Sequence, residues 1–137
     1  MKIFFDTNVI LDVTERRIGE SDVRAIMAYA SQSQFSRIYG SFLSVADIAY
    51  IIRKKPISEI KQTIRSVHSW MEVLPCSDMD FIYAAKCEGP DYEDCLQIAV
   101  AERQGCDVIV TRNLSHFRAY TDIPVLTPEE FVSHMAE

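Results

Sequence analysis

The sequence predicts an α/β fold in which a mainly parallel sheet is covered by helices on both faces. Three observations predict it. Apolar, β-branched and aromatic runs alternate with stretches of helical spacing along the whole chain. Those runs are apolar at consecutive positions, as strands buried on both faces are, rather than at every second position. The 137 residues, 48% hydrophobic and 25% charged, suit one compact domain spanning 1–137 around a single core.

In chain order, Lys2 to Phe5 reads as a short buried strand that stops at Asp6-Thr7-Asn8. Those three residues are good helix caps, so Val9 to Val13 begins a helix. Asp22 to Ala30 carries apolar residues at 23, 26, 27 and 30, which is helical spacing. Ile38 to Phe42 is a second strand, and a helix from about Val45 to Lys54 ends before Pro56. Pro56, at a first helical position, opens an amphipathic helix through about Trp70. Glu72 to Pro75 is a strand, Asp78 to Cys87 a helix, and Gly89-Pro90 a break. Tyr92 to Gln104 is helical, with Gly105 as its C-terminal cap. Asp107 to Thr111 is the clearest buried strand and Pro124 to Leu126 a minor one. Thr127-Pro-Glu-Glu130 opens a last helix with capping-box chemistry.

The longest apolar runs, such as Phe42 to Ile52, are too short to span a bilayer. The opening Met1 to Asp6 meets an acid after three apolar residues, which is not the pattern of a signal peptide. Cys76, Cys87, Cys95 and Cys106 form no Cys-x-x-Cys pair and sit in or beside apolar stretches, as reduced thiols do. A cytoplasmic location follows, and zinc is disfavoured. His68, His116 and His134 show no metal-ligand spacing. The net charge of −6 runs against nucleic-acid binding. Two bound divalent ions would offset about four of those charges if the acids share one site. Arg16-Arg17 and Arg53-Lys54-Lys55 could contact phosphates; on the plainer reading both are solvated helix ends.

Ligands of open α/β sheets bind at the carboxyl ends of the strands, and this sorts the acids. Asp6 and Asn113 follow strands and belong at that end; Asp107 precedes its strand and is discarded. Asp6 alone could simply cap the next helix. Asp47 lies inside the run Ser41 to Ile52, where a carboxylate needs a partner, a proton or a metal. Ser44-Val-Ala-Asp47 also fits a capping box, and both roles can hold together. Asp91-Tyr-Glu-Asp94 sets three acids in the first turn of a helix. They would complement the helix dipole by about 0.3–1 kcal/mol each. They also repel one another unless a cation stands near. Spacing does not decide which points inward; Asp94, nearest the apolar helix body, is the choice. An all-oxygen set suits hard cations such as Mg²⁺ or Mn²⁺, which promote phosphodiester hydrolysis.

Lys2-Ile-Phe-Phe-Asp-Thr-Asn-Val-Ile-Leu-Asp12 resembles the opening of PIN domains, including toxins of the VapC type. Asp91 to Ala99, Val108-Ile-Val-Thr-Arg-Asn113 with Phe117, and Ile123 to Phe131 resemble the same family in the same order. The resemblance implies a three-layer α/β/α sandwich and a metal-dependent ribonuclease acting on RNA. It implies Asp6, Asp47 and Asp94 as catalytic acids, and Asp91 and Asn113 as further metal ligands. It implies Asn8 and Arg112 as substrate contacts, an antitoxin protein as partner, and a homodimer. Asp47 falls where many members have Glu, and Asn113 where many have Asp. The second departure leaves a weakly active or inactive module, binding RNA or a protein, as the alternative.

Other classes fit less well. A phosphatase with Asp-x-Asp after its first strand would need an acid where Asn8 stands. A phospho-receiver domain needs paired acids there and a lysine near the end, but no lysine follows Lys86.

Overall fold

In the computed structural model, which describes residues 1–135, five strands and eight helices alternate. They are β1 (Lys2–Phe5), α1 (Thr7–Thr14), α2 (Glu20–Ser31), β2 (Arg37–Ser41), α3 (Phe42–Ile51), α4 (Ile57–Trp70) and β3 (Glu72–Leu74). There follow α5 (Asp78–Lys86), α6 (Tyr92–Arg103), β4 (Val108–Val110), α7 (Leu114–Phe117), β5 (Val125–Leu126) and α8 (Pro128–Met135). All four strand pairings are parallel, in the order β3-β2-β1-β4-β5.

The pleat of β1 divides the core in two. Ile3 and Phe5 face one side with Ile38, Val108 and Val110, under residues of α1, α2, α3, α4 and α8. Phe4 faces the other with Tyr39, Leu74 and Ile109, under α6 and Phe117 of α7. The result is a three-layer α/β/α sandwich. Ile3, Phe4 and Phe5 are all fully buried, each contributing about 1.5–3 kcal/mol. That double burial is why these strands read as unbroken apolar runs.

Local chemistry fixes the element ends. Gly105 ends the α6 segment with φ +65°, a left-handed position that costs a residue without a Cβ least. At the start of α5 the Asp80 carboxylate reaches back to accept from Ser77 N at 2.8 Å, one half of a capping box. Pro56 is extended and lies one residue outside α4, as its N-cap rather than its first residue. Thr127 caps α8 by accepting from Glu130 N at 3.1 Å, while the Glu130 carboxylate pairs with Arg118 at 2.6 Å instead of closing a box. The turn α7 and the 3-10 turn Arg118–Tyr120 after it were not anticipated. No helix among the described residues is long and apolar enough to cross a membrane.

Candidate active site

From β1 the sheet grows towards β2 and β3 in one direction, and from β4 towards β5 in the other. The strand order therefore reverses between β1 and β4, opening a crevice at their carboxyl ends. The register Phe5↔Val110 carries Asp6 and Thr111 out side by side, and Asp6 N donates to Val110 O at 3.0 Å. Asp6 Oδ1 accepts from Thr7 N at 2.8 Å, capping α1, and Oδ2 accepts from the Thr111 hydroxyl at 2.8 Å. The carboxylate is only 4% exposed. Cap and site roles coincide in one side chain.

Two helices bring further acids to the crevice. Asp91 caps α6, its Oδ1 accepting from Asp94 N at 3.0 Å. Asp94 Oδ2 lies 2.8 Å from His116 Nδ1 and accepts from Asn113 Nδ2 at 3.2 Å. The Ser44–Asp47 capping box is overturned. Helix α3 starts three residues earlier, with Ser41 as N-cap accepting from Ser44 N at 3.1 Å. Asp47 thus stands in the second turn and turns to the cavity, where it shares a hydrogen bond with Glu93.

Asp6, Asp47, Asp91, Glu93 and Asp94 line a cavity of about 320 Å³ together with Asn8, Tyr50 and Asn113. A larger cavity, about 810 Å³, opens at the amino ends of β2 and β3 beside Arg37 and Glu72. It holds none of these acids and lies away from the strand ends where chemistry gathers in such sheets. Size alone does not locate the site.

The electrostatics of the smaller cavity are uncompensated. Burial pushes the Asp6 carboxyl up to about 6 against its hydrogen bond from Thr111, and Asp94 and Asp91 add repulsion. Burial also raises Asp94, opposed by His116 and Asn113. The Glu93 carboxyl is pushed up to about 8 by its hydrogen bond to Asp47, with partial burial and the other acids adding. No Lys or Arg among the described residues forms an ion pair with any of the five. Such a group of oxygen donors fits a hard divalent cation. Asp91, Asp94 and His116 bring one donor atom each within 4.8 Å of one another.

Beneath the acids lies a buried polar knot. Gln97, one turn along α6 from Asp94, donates to Ser44 Oγ at 2.7 Å and Thr7 Oγ1 at 3.2 Å. Thr7 and Ser44 share a hydrogen bond of 2.7 Å. The knot ties together the three helices that carry or adjoin Asp6, Asp47 and Asp94.

The remaining expected residues divide. Asn8 lines the cavity and its Oδ1 accepts from Arg17 at 3.3 Å. Arg112 does not reach the cavity. Its Nη1 donates to Asp12 Oδ1 at 2.9 Å and Nη2 contacts Oδ2, because Asp12 is fully buried and needs a counter-charge. A Cβ at Gly19 would collide with that guanidinium. The face of the guanidinium that meets Asp12 is thereby committed to holding that buried carboxylate. Arg53 lies 4.1 Å over the Tyr50 ring, at the rim of the cavity, whereas Lys55 pairs with Glu15 at 2.7 Å. Sequence reasoning weighed Glu93 among the three acids of its turn but chose Asp94, and it missed His116. The one available signal for His116 was its spacing of one helical turn after Asn113.

The sequence profile of the PIN domain matches residues 2–115. Ribonuclease VapC1 of Aquifex aeolicus is 32% identical over 141 residues, covering 95% of this chain and 92% of that protein. Among solved structures, VapBC2 from Rickettsia felis, bound to a promoter DNA fragment, superposes with TM-score 0.72 at 16% identity, covering 91% of this chain and 97% of the other. A toxin–antitoxin complex from Klebsiella pneumoniae gives 0.68 at 18%, covering 92% and 97%. VapBC-1 from nontypeable Haemophilus influenzae gives 0.67 at 19%, covering 94% and 99%. Taken with the strand order and the acids at its reversal, these matches mean that the chain belongs to the PIN domain family.

Proposed function

We propose that the protein is an endoribonuclease that hydrolyses RNA phosphodiester bonds with Mg²⁺ or Mn²⁺, the ion being held by Asp6, Asp94, Asp47, Asp91 and Asn113. The observation that carries this is the set of five carboxylates around one crevice, with no Lys or Arg among the described residues paired to them. A bound divalent ion there supplies Lewis acidity, lowering the pKa of water and offsetting phosphate charge. Thr111 and the α1 backbone hold the Asp6 carboxylate in one orientation. The hydrogen bond to Asp47 favours a proton on Glu93, which a cation would displace. Asn113 contributes a neutral amide where many relatives have an acid, so the carboxylates carry the charge. Asn8 stands on the substrate side. Arg17, bonded to Asn8, and Arg53, over Tyr50, are rim cations for RNA phosphates.

The Aquifex aeolicus relative, named a ribonuclease, supports RNA as substrate. The VapBC and toxin–antitoxin complexes among similar folds support a toxin role, with an antitoxin protein as partner. A homodimer accords with Met79, Phe81, Ile82 and Tyr83, which leave apolar surface exposed on α5. The working compartment is then the cytoplasm.

The test is to incubate purified wild type, Asp6→Ala and Asp94→Asn with structured RNA in Mn²⁺, Mg²⁺ or EDTA. Cleavage by wild type alone, abolished by EDTA, is expected. A folded wild type inert in both metals would instead indicate a binding module, with Asn113 the first residue to examine. Equal cleavage by all three proteins would remove the carboxylate argument.

A further inference from the structure

Apart from the Asn113 amide, every metal-ligand candidate named so far offers a carboxylate oxygen; His116 does not. It sits in α7, the single helical turn after β4, half-buried against Asp94. Its Nδ1 is 2.8 Å from Asp94 Oδ2 and 2.6 Å from Asn113 Nδ2. An imidazole nitrogen has one in-plane position, occupied either by a proton or by a lone pair. Nδ1 therefore faces the Asn113 amide and the Asp94 carboxylate together, its role towards each depending on the tautomer. The donor atoms of Asp91, Asp94 and His116 converge within 4.8 Å. A single ion with bonds of about 2.2 Å spans nearly that separation.

We propose, resting on the metal-dependent function above, that His116 is a nitrogen ligand of the bound ion and biases the site towards Mn²⁺ and other divalent transition ions over Mg²⁺. The chemistry is that of donor softness. Imidazole suits transition ions, whereas Mg²⁺ keeps to carboxylates, carbonyls and water. The imidazole adds a donor atom without adding negative charge, as the Asn113 amide does, so coordination here relies less on carboxylate charge than in an all-acid site. Backbone placement supports the role. Asn113 and His116 lie one turn apart, so the same loop after β4 delivers both to Asp94.

The experiment uses the full chain with Mn²⁺ alone as probe. Binding is followed by the electron paramagnetic resonance signal of the free ion, and ligation by nitrogen modulation of the bound ion's spin echo. The wild type should bind Mn²⁺ and show strong ¹⁴N modulation that changes when histidine is supplied as ¹⁵N. His116→Gln, with an unchanged circular dichroism spectrum, should still bind but lose that modulation. Its preference for Mn²⁺ over Mg²⁺ in competition should fall by about tenfold. Mn²⁺ bound by the wild type without histidine modulation would overturn the ligand role and leave the metal-dependent reading intact. Histidine modulation persisting in His116→Gln would overturn it as well. Failure of the wild type to bind Mn²⁺ at all would remove both.

Discussion

The Thr111 hydroxyl donates to Asp6 Oδ2 at 2.8 Å, so the carboxyl ends of β1 and β4 are fastened by a side-chain hydrogen bond at the floor of the acidic cavity. Both residues are buried. Thr111→Val preserves shape and removes the donor. It should cost about 1–2 kcal/mol of stability and push the Asp6 carboxyl above its present value of about 6. Urea unfolding and a ¹³C titration of the Asp6 carboxyl measure the two effects. An Asp6 titration unmoved in the variant would show the bond to be inconsequential.

The raised carboxyls make a pH prediction whose sign is fixed. Asp6 moves from 3.8 to about 6 and Glu93 from 4.5 to about 8. Groups raised on folding stabilise the fold fully below their ordinary values, and that contribution is lost as pH rises through the folded values. Between about pH 4 and 8 these two groups therefore make the metal-free protein less stable as pH rises. Asp80, where burial raises the carboxyl but Arg103 and the Ser77 backbone together lower it further, acts only below this window. Metal binding displaces the same protons, so affinity should strengthen with pH across it. Thermal melts in EDTA and in Mn²⁺ should diverge more at pH 8 than at pH 5; convergence would count against the shared cluster.

Arg112 should matter to the fold rather than to substrate. Asp12 is fully buried and Arg112 is its counter-ion. Arg112→Ala leaves that carboxylate uncompensated, at a cost of about 3 kcal/mol. In the fraction that remains folded, KM for RNA should be unchanged. A raised KM with unaltered stability would return Arg112 to the substrate side.

Rim cations predict a salt signature. In an Asp94→Asn background, which blocks turnover, Arg53→Ala and Arg17→Ala should each weaken RNA binding alike for different sequences. Each should also reduce the slope of log affinity against log salt by about one. Fluorescence anisotropy across a potassium chloride series gives the slope. Sequence-dependent losses would mean base contacts instead.

The strands were legible because burial on both faces writes itself as consecutive apolar residues, as in Val108-Ile109-Val110. The start of α3 was not. Ser41 and Ser44 are both sound caps, and the choice fell to tertiary contacts, since Thr7 and Gln97 engage the Ser44 hydroxyl. Asp6 and the acids of α6 could be located because strand ends and first turns follow local rules. Glu93 meeting Asp47, and His116 meeting Asp94, depend on distances between elements that no local pattern encodes. Helix α7 has four residues, too few for any periodicity to register.

The reversal of strand order between β1 and β4 has a temporal consequence. Asp6 and Asp47 are synthesised early, whereas Asp91, Asp94, Asn113 and His116 come in the last third or so of the chain. They converge only once β4 has docked beside β1. A ribosome-bound chain that has not yet exposed residues up to Phe117 cannot assemble the cavity, whatever else of it has folded. The acidic cavity is thus among the last features to form, and a product truncated before β4 would lack it.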